Sequence, residues 1–288
     1  MLVDAEVFIV VGAVAALGFA AALLFLVRRR QPPPCVQHAH GGWRPRYPVV
    51  LVHGMLGFDY VEIGATKHDY FRGVVECLRE LGIEVYTPRV AGVAAVAVRA
   101  QQLSRQIEML SAQRVNIIAH SMGGLDARYA LARLGLSRRV ASLTTIATPH
   151  RGTPIADFGT SIFGEKLGLR RMLAAAGVDL GAFYDVTTAR TLTFNEDVED
   201  APGVTYGCVV ATVDGRKGGL NPLLWPGYNY LSAFAGANDG MVPAKSQVWG
   251  DVLAQVEADH LAQVGWSKHF DAMGFFENLM RELRGRGL

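Results

Sequence analysis

The sequence predicts an α/β chain built on a mostly parallel sheet with flanking helices. Short β-branched runs recur through its C-terminal five-sixths, and segments of helical period separate them. One of those runs passes through a turn of small residues directly into a helix, a connection that parallel sheets need.

The elements follow in order. Pro48 to Val52 is a continuous apolar run ending at His53-Gly54, as a strand buried on both faces requires. Phe71 to Leu81 has helical spacing and stops at Gly82, and Ile83 to Thr87 is a second strand halted by Pro88. Ala97 to Leu110 reads as a helix, Val115 to Ala119 as a strand and Gly124 to Leu134 as a helix ending at Gly135. Val140 to Ala147 is another strand, closed by Pro149. From 152 to 201 the strand pattern lapses into an apolar, helical or irregular insertion. Strands return at Val204 to Val213 and Val252 to Glu257, and His269 to Arg284 is a closing helix.

The N-terminus is of another kind. Val7 to Val27 contains no charged residue, and Arg28-Arg29-Arg30 follows it. About 21 residues at a rise of ~1.5 Å span the hydrocarbon core of a bilayer. The acidic Asp4 and Glu6 before the run argue against a cleaved signal peptide. The expected organisation is a transmembrane anchor with its basic flank at 1–30, a Pro/Gly/His linker at 31–46, and a globular domain at 47–288. The basic cluster places that domain on the cytoplasmic side, at a bacterial inner membrane. His38 and His40 belong to the linker.

Composition excludes several classes. The chain is 50% hydrophobic and 19% charged, too apolar for extended disorder. A net charge of +2, with no basic stripe interleaved with aromatics, leaves no footprint for nucleic acid. Three cysteines are too few and too scattered for a disulfide framework or a zinc site. No cofactor and no metal are expected.

The chemistry concentrates at His120-Ser121-Met122-Gly123-Gly124. A strand that turns this sharply into a helix needs small residues on either side of the apex, here Ala119 and Gly123, with His120 the neighbour of the serine. Such a turn lifts the Ser121 hydroxyl clear of the sheet and aims the next helix N-terminus at it. A nucleophilic serine needs N–H donors for the oxyanion it creates. The amide after the serine, Met122, is one candidate, and Met55, in the loop following the first strand, is the other. The base and its orienting acid should follow the serine in chain order. His260, in the loop after Val252 to Glu257, is the expected base, with His269 in reserve. His53 is expected to be structural, and Pro149 beside His150 suggests the same there. Asp239, in the rigid Asn238-Asp239-Gly240 turn, is the expected acid, with Asp214 as competitor. Asp259 is poorly placed to bridge to the ring of its neighbour His260.

These pieces resemble the bacterial true-lipase family of the α/β-hydrolase superfamily. Val50-Leu51-Val52-His53-Gly54-Met55-Leu56-Gly57-Phe58-Asp59, the serine turn, Thr148-Pro149-His150-Arg151-Gly152-Thr153, Asn238-Asp239-Gly240-Met241-Val242 and His260-Leu261 occur in the family's order. The resemblance implies an α/β-hydrolase fold and a Ser121-Asp239-His260 triad. It also implies oxyanion donors at Met55 and Met122, and a lid formed by the 152–201 insertion. Calcium does not carry over: Ala262 and Asn221 stand where the family has calcium-binding aspartates, and a hard cation needs carboxylate oxygens. Neither the foldase partner nor secretion carries over to a tethered chain. The expected activity is serine ester hydrolysis, of lipase or esterase type, on a lipid-like ester. The alternatives are a phospholipase, thioesterase or acyltransferase on a membrane lipid, or an inactive membrane-bound binding module.

Overall fold

A computed structural model describes residues 44–55, 60–63, 66–165, 181–215 and 218–288. Six strands form one parallel sheet: β1 Val49–Val52, β4 Val85–Tyr86, β5 Val115–His120, β6 Val140–Ile146, β7 Thr205–Thr212 and β8 Asp251–Glu257, in the order β4-β1-β5-β6-β7-β8. Strands β2 Tyr60–Ile63 and β3 Thr66–Asp69 make a separate antiparallel pair.

The period of two along each strand explains why the sheet is covered on both sides. Val49 and Leu51 face one core with Phe71, Val74, Leu78, Phe276 and Met280. These come from helix α1 Val74–Glu80 and the closing helix, with Phe71 just ahead of α1. Val50 and Val52 face a second core with Leu103, Ile107, Ala127 and Leu131, from helices α2 Val96–Glu108 and α3 Gly123–Arg133. Each large aliphatic side chain taken out of water contributes about 1.5–3 kcal/mol, so register is strongly fixed: a one-residue slip would exchange the two faces.

The 152–201 insertion is helical where described, with α4 Pro154–Glu165, α5 Gly181–Asp185 and α6 Thr188–Asp197. It is tied to the sheet-bearing body by Ala182 N–H to Val93 O and Val96 N–H to the Asp185 carboxylate, while Thr153 N–H to Val186 O closes the insertion on itself. After β7 a turn of 3-10 helix leads into α7 Trp225–Phe234, and α8 Ala244–Gln247 precedes β8.

Several local expectations are corrected. The β2–β3 pair was not anticipated, because Glu62, Lys67, His68 and Asp69 break up its apolar alternation. Helix α7 was also left unassigned. Its start signal is nonetheless present: the Asn221 side chain caps Leu223 N–H, and prolines sit early in both turns. The closing helix, α9 Ala272–Gly285, starts later than His269, because the Asp271 carboxylate caps Gly274 N–H. The anchor expected over 1–30 and most of the linker lie outside the described residues. Among the described residues no helix is long and apolar enough to cross a membrane.

Candidate active site

The turn between β5 and α3 is tight for steric reasons that can be read atom by atom. Ser121 sits at φ 54°, a left-handed conformation that costs a non-glycine residue roughly 1–2 kcal/mol. Three bonds hold it there. Ser121 N–H donates to Ile146 O at 2.9 Å, Gly124 N–H donates to Ser121 O at 3.1 Å, and Thr148 Oγ1 donates to Ser121 O at 2.7 Å. A Cβ on Gly123 would meet the carbonyl oxygens of His53 and Val52 at 2.8 and 2.9 Å, and one on Gly124 would collide with Thr148. Ala119, wholly buried in the α2/α3 core, is the small residue on the other side.

His260 brings its Nε2 to 3.0 Å from Ser121 Oγ, while its Nδ1 donates to Asp239 Oδ2 at 2.7 Å. Asp239 is fully buried and saturated with donors. Its Oδ1 accepts from the amides of Met241 and Val242 at 2.9 and 2.7 Å, and its Oδ2 also accepts from Gln263 Nε2 at 3.2 Å. A backbone bond from His260 N–H to Asp239 O at 2.9 Å joins the two loops directly. A carboxylate held this way keeps the imidazole in one tautomer, with its lone pair toward the serine.

The other sequence candidates sit elsewhere. Asp214 lies in the turn after β7, while Asp239 takes the place beside His260. His269 is exposed and is bonded through its amide to Ser267. Buried His53 accepts from Val90 N–H and donates to Gly54 O, a structural role. His150 is buried too. It accepts from Arg128, bonds Thr145 and stacks on Trp249 at 5.3 Å, and burial followed by the Arg128 charge pushes its pKa well down.

The sequence offers no role for Tyr70, Gln263 or Arg99, and places His120 only as the neighbour of the serine. Tyr70 donates from its hydroxyl to His120 Nδ1 at 2.7 Å and receives the Gly54 amide, and burial raises its pKa. His120, whose ring centre is 4.6 Å from that of His260, is kept uncharged by burial and by the neighbouring imidazole. Gln263 supports Asp239. Arg99, fully buried, pairs with Asp126. A signal for Arg99 exists: it lies on α2 within the stripe of Val96, Leu103 and Ile107, an arginine on a core face. Asp259 is also buried. It accepts from Leu261 and Ala262 N–H through Oδ1 and from Asn221 N–H through Oδ2 at 2.7 Å, so it fastens the His260 loop to the start of the α7 segment.

Met122 follows the serine in the chain, and Met55 packs against the core cluster that contains Met122. Gly54 packs so closely that a Cβ there would stand 2.7 Å from Ser121 Cβ, which brings the backbone leading to Met55 against the reacting side chain. Neither the Met55 nor the Met122 amide donates to a protein acceptor among the described residues. Among those residues no cluster of three metal-ligating side chains forms.

The stretch that carries the first strand and the strand–turn–helix serine, residues 47–159, matches the family model for the alpha/beta hydrolase fold; the imidazole and the carboxylate lie beyond the matched residues. The chain has the α/β-hydrolase fold. Other comparisons agree. It is 28% identical to triacylglycerol lipase 2 of Saccharomyces cerevisiae over 77% of the chain and 81% of that protein. It is 33% identical to triacylglycerol lipases of Pseudarthrobacter phenanthrenivorans and Burkholderia plantarii, over 62% of the chain in each case. Those matches span under two thirds of the bacterial relatives, 63% and 56% of their lengths. In fold, this chain is similar to the Staphylococcus hyicus lipase (TM-score 0.64, 19% identity, 87% of this chain and 99% of that one). It is also similar to the Bacillus licheniformis lipase BlEst2 in mature form (TM-score 0.62, 20% identity, 88% and 96%).

Proposed function

We propose that this α/β-hydrolase is a carboxylic-ester hydrolase that works through an acyl-enzyme on Ser121. The observation that carries the reading is the unbroken relay from the Ser121 hydroxyl through His260 to Asp239. As Ser121 Oγ attacks the ester carbonyl, its proton passes to His260 Nε2, and Asp239 stabilises the imidazolium that results. The carbonyl oxygen gains its negative charge against the Met55 and Met122 N–H groups. Collapse of the tetrahedral adduct expels the alcohol, which leaves with the proton from His260. Water then attacks the acyl group, gives its proton to the same imidazole, and releases the carboxylic acid and free Ser121.

The substrate class is a lipid-like ester. The 152–201 insertion and α7 support this with apolar side chains turned to solvent: Phe158 on α4, Phe183 on α5, Leu192 on α6, and Trp225 and Phe234 on α7. Exposed aromatics of this kind suit an apolar aggregate better than water. The curated relatives named above are triacylglycerol lipases, which supports the same class. The 152–201 insertion would then act as a lid. The uncharged run Val7 to Val27 would tether the enzyme to a membrane on its cytoplasmic face.

The test is hydrolysis by the purified chain of a panel of soluble p-nitrophenyl esters, emulsified triacylglycerols, phospholipids and acyl thioesters, beside Ser121→Ala. Ester turnover abolished by Ser121→Ala is the expected result, with preference for the emulsion over the soluble ester. A Ser121→Ala protein that keeps the wild-type rate would overturn the reading, and a preference for phospholipid or thioester would reassign its substrate. Fractionation of cells expressing the chain with and without residues 1–30 tests the tether, and release of the shortened form from membranes is expected.

A further inference from the structure

The α/β-hydrolase holds one fully buried ion pair whose purpose stability does not explain. Arg99 on α2 and Asp126 on α3 are both at 0% side-chain exposure, with Nη2 2.7 Å and Nε 2.8 Å from Asp126 Oδ2. Removing two charges from water costs more than their attraction usually returns, and hydrophobic replacements are often as stable. The pair is not even optimised, since Asp126 Oδ1 has no hydrogen-bond partner. Where the remaining guanidinium donors go is informative. Nη1 donates to Ala91 O at 2.6 Å, and Nη2 donates to the carbonyls of His53 and Gly54 at 2.9 and 3.2 Å.

Those two carbonyls belong to the peptide units that carry the Gly54 and Met55 N–H groups. In a trans peptide the C=O and N–H vectors are antiparallel, so fixing a carbonyl fixes the direction of the next amide. His53 Nδ1–H grips the Gly54 carbonyl as well, at 3.0 Å. The Gly54 amide itself is taken by the Tyr70 phenol. That leaves the Met55 N–H as the amide of this loop without a protein acceptor among the described residues.

We propose that the buried Arg99–Asp126 pair is a positioning device for the oxyanion loop: Asp126 aims the guanidinium, and the guanidinium holds the His53 and Gly54 carbonyls so that the Met55 N–H faces the carbonyl oxygen of a substrate on Ser121. Neither residue touches substrate. The inference rests on the ester-hydrolase reading and adds the reason one amide of that loop, rather than its neighbour, is available before substrate arrives.

The test replaces both charges by apolar groups of similar volume, Arg99→Met with Asp126→Leu, and measures p-nitrophenyl butyrate hydrolysis beside inhibition by a butyl trifluoromethyl ketone. The tetrahedral adduct of that ketone needs the oxyanion donors, whereas ground-state binding of the ester does not. The double variant is expected to fold, at a melting temperature lowered by the carbonyls that lose the guanidinium, to lose about 100-fold in kcat with KM within about three-fold, and to bind the ketone about 100-fold more weakly. A folded double variant with wild-type kcat and ketone affinity overturns the proposal, as does a loss that appears in KM alone. If the double variant does not fold, Asp126→Asn, which keeps the shape and removes the charge, is read in the same two assays. There a kcat loss matched by the ketone supports the proposal, and unchanged values sink it. A wild-type chain that hydrolyses no ester and is not labelled at Ser121 by a fluorophosphonate is a separate result: it removes the ester-hydrolase reading, and this inference with it.

Discussion

His260 Nε2 stands 3.0 Å from Ser121 Oγ although 139 residues separate the two along the chain. The distance is set at the far side of the ring, where Asp239 holds Nδ1 at 2.7 Å with its own second oxygen clamped by two amides. Asp239→Asn is nearly isosteric, but its amide can present N–H toward Nδ1 and so favour the wrong tautomer. A kcat loss of about 10⁴-fold with little change in melting temperature is expected, measured with a p-nitrophenyl ester. A loss under ten-fold would detach Asp239 from the chemistry.

Gly54 and Gly135 make a matched pair. Gly54 lacks a positive φ, but a Cβ there would lie 2.7 Å from Ser121 Cβ and 2.9 Å from Tyr70 Oη. Gly54→Ala should therefore cut kcat by about 10²-fold, through displacement of the loop that carries the proposed Met55 donor. Gly135 has φ +69° and nothing within 4 Å, so Gly135→Ala should cost about 1 kcal/mol of stability and leave kcat alone. Steady-state kinetics and denaturant melts on both variants read the contrast.

Asp126 gives a pH dependence whose sign can be worked out. Burial raises its pKa from 3.8 to about 6, against the lowering effect of Arg99. The folded chain thus binds this proton more tightly than the unfolded one. The stability it contributes is complete below pH 3.8 and disappears as pH rises through about 6. Asp126→Asn lacks this dependence, so wild type should lose ground to the variant between pH 4 and 7, by up to about 3 kcal/mol. Melts of the two proteins across that range provide the measurement, and a constant gap between them would contradict the assignment.

Tyr70→Phe deletes a single oxygen that serves two partners, the Gly54 amide and His120 Nδ1. Both would be left buried without it, at a cost of about 1–3 kcal/mol each at most. A fall of about ten-fold in kcat together with a lower melting temperature is expected. Unchanged kinetics would mean that the phenol has no bearing on the loop.

The exposed aromatics of α4 and α7 separate interface from chemistry. Phe158 is 44% exposed on α4 and Phe234 is 72% exposed on α7. Replacing both with serine should leave soluble-ester kinetics within about two-fold and lower activity on emulsified triacylglycerol by about ten-fold, the change that a loss of about 1.4 kcal/mol of apolar contact with the aggregate produces. Equal losses on both substrates would argue for a packing role.

Much of this protein is written locally. The order of strands and helices was legible because a period of two or of 3.6 is a property of neighbouring residues, and Val115–His120 leading into Gly123–Arg133 shows both periods across one turn. Ser121 stood out because a turn that tight tolerates few residue types on either side. Elements with weak local signals were missed, such as the β2–β3 pair with its charged residues and the aromatic, uncharged α7.

Neighbouring residues alone specify a parallel α/β sheet, a serine at a tight strand-to-helix turn, and a short set of candidate histidines and aspartates to serve it. Only the tertiary structure decided that Asp239, not Asp214, lies against His260, and that Arg99 grips the carbonyls behind the Met55 amide. Periodicity acts over a few residues, whereas distances between side chains on separate loops depend on strand order and register, which are settled when both faces of the sheet are buried together.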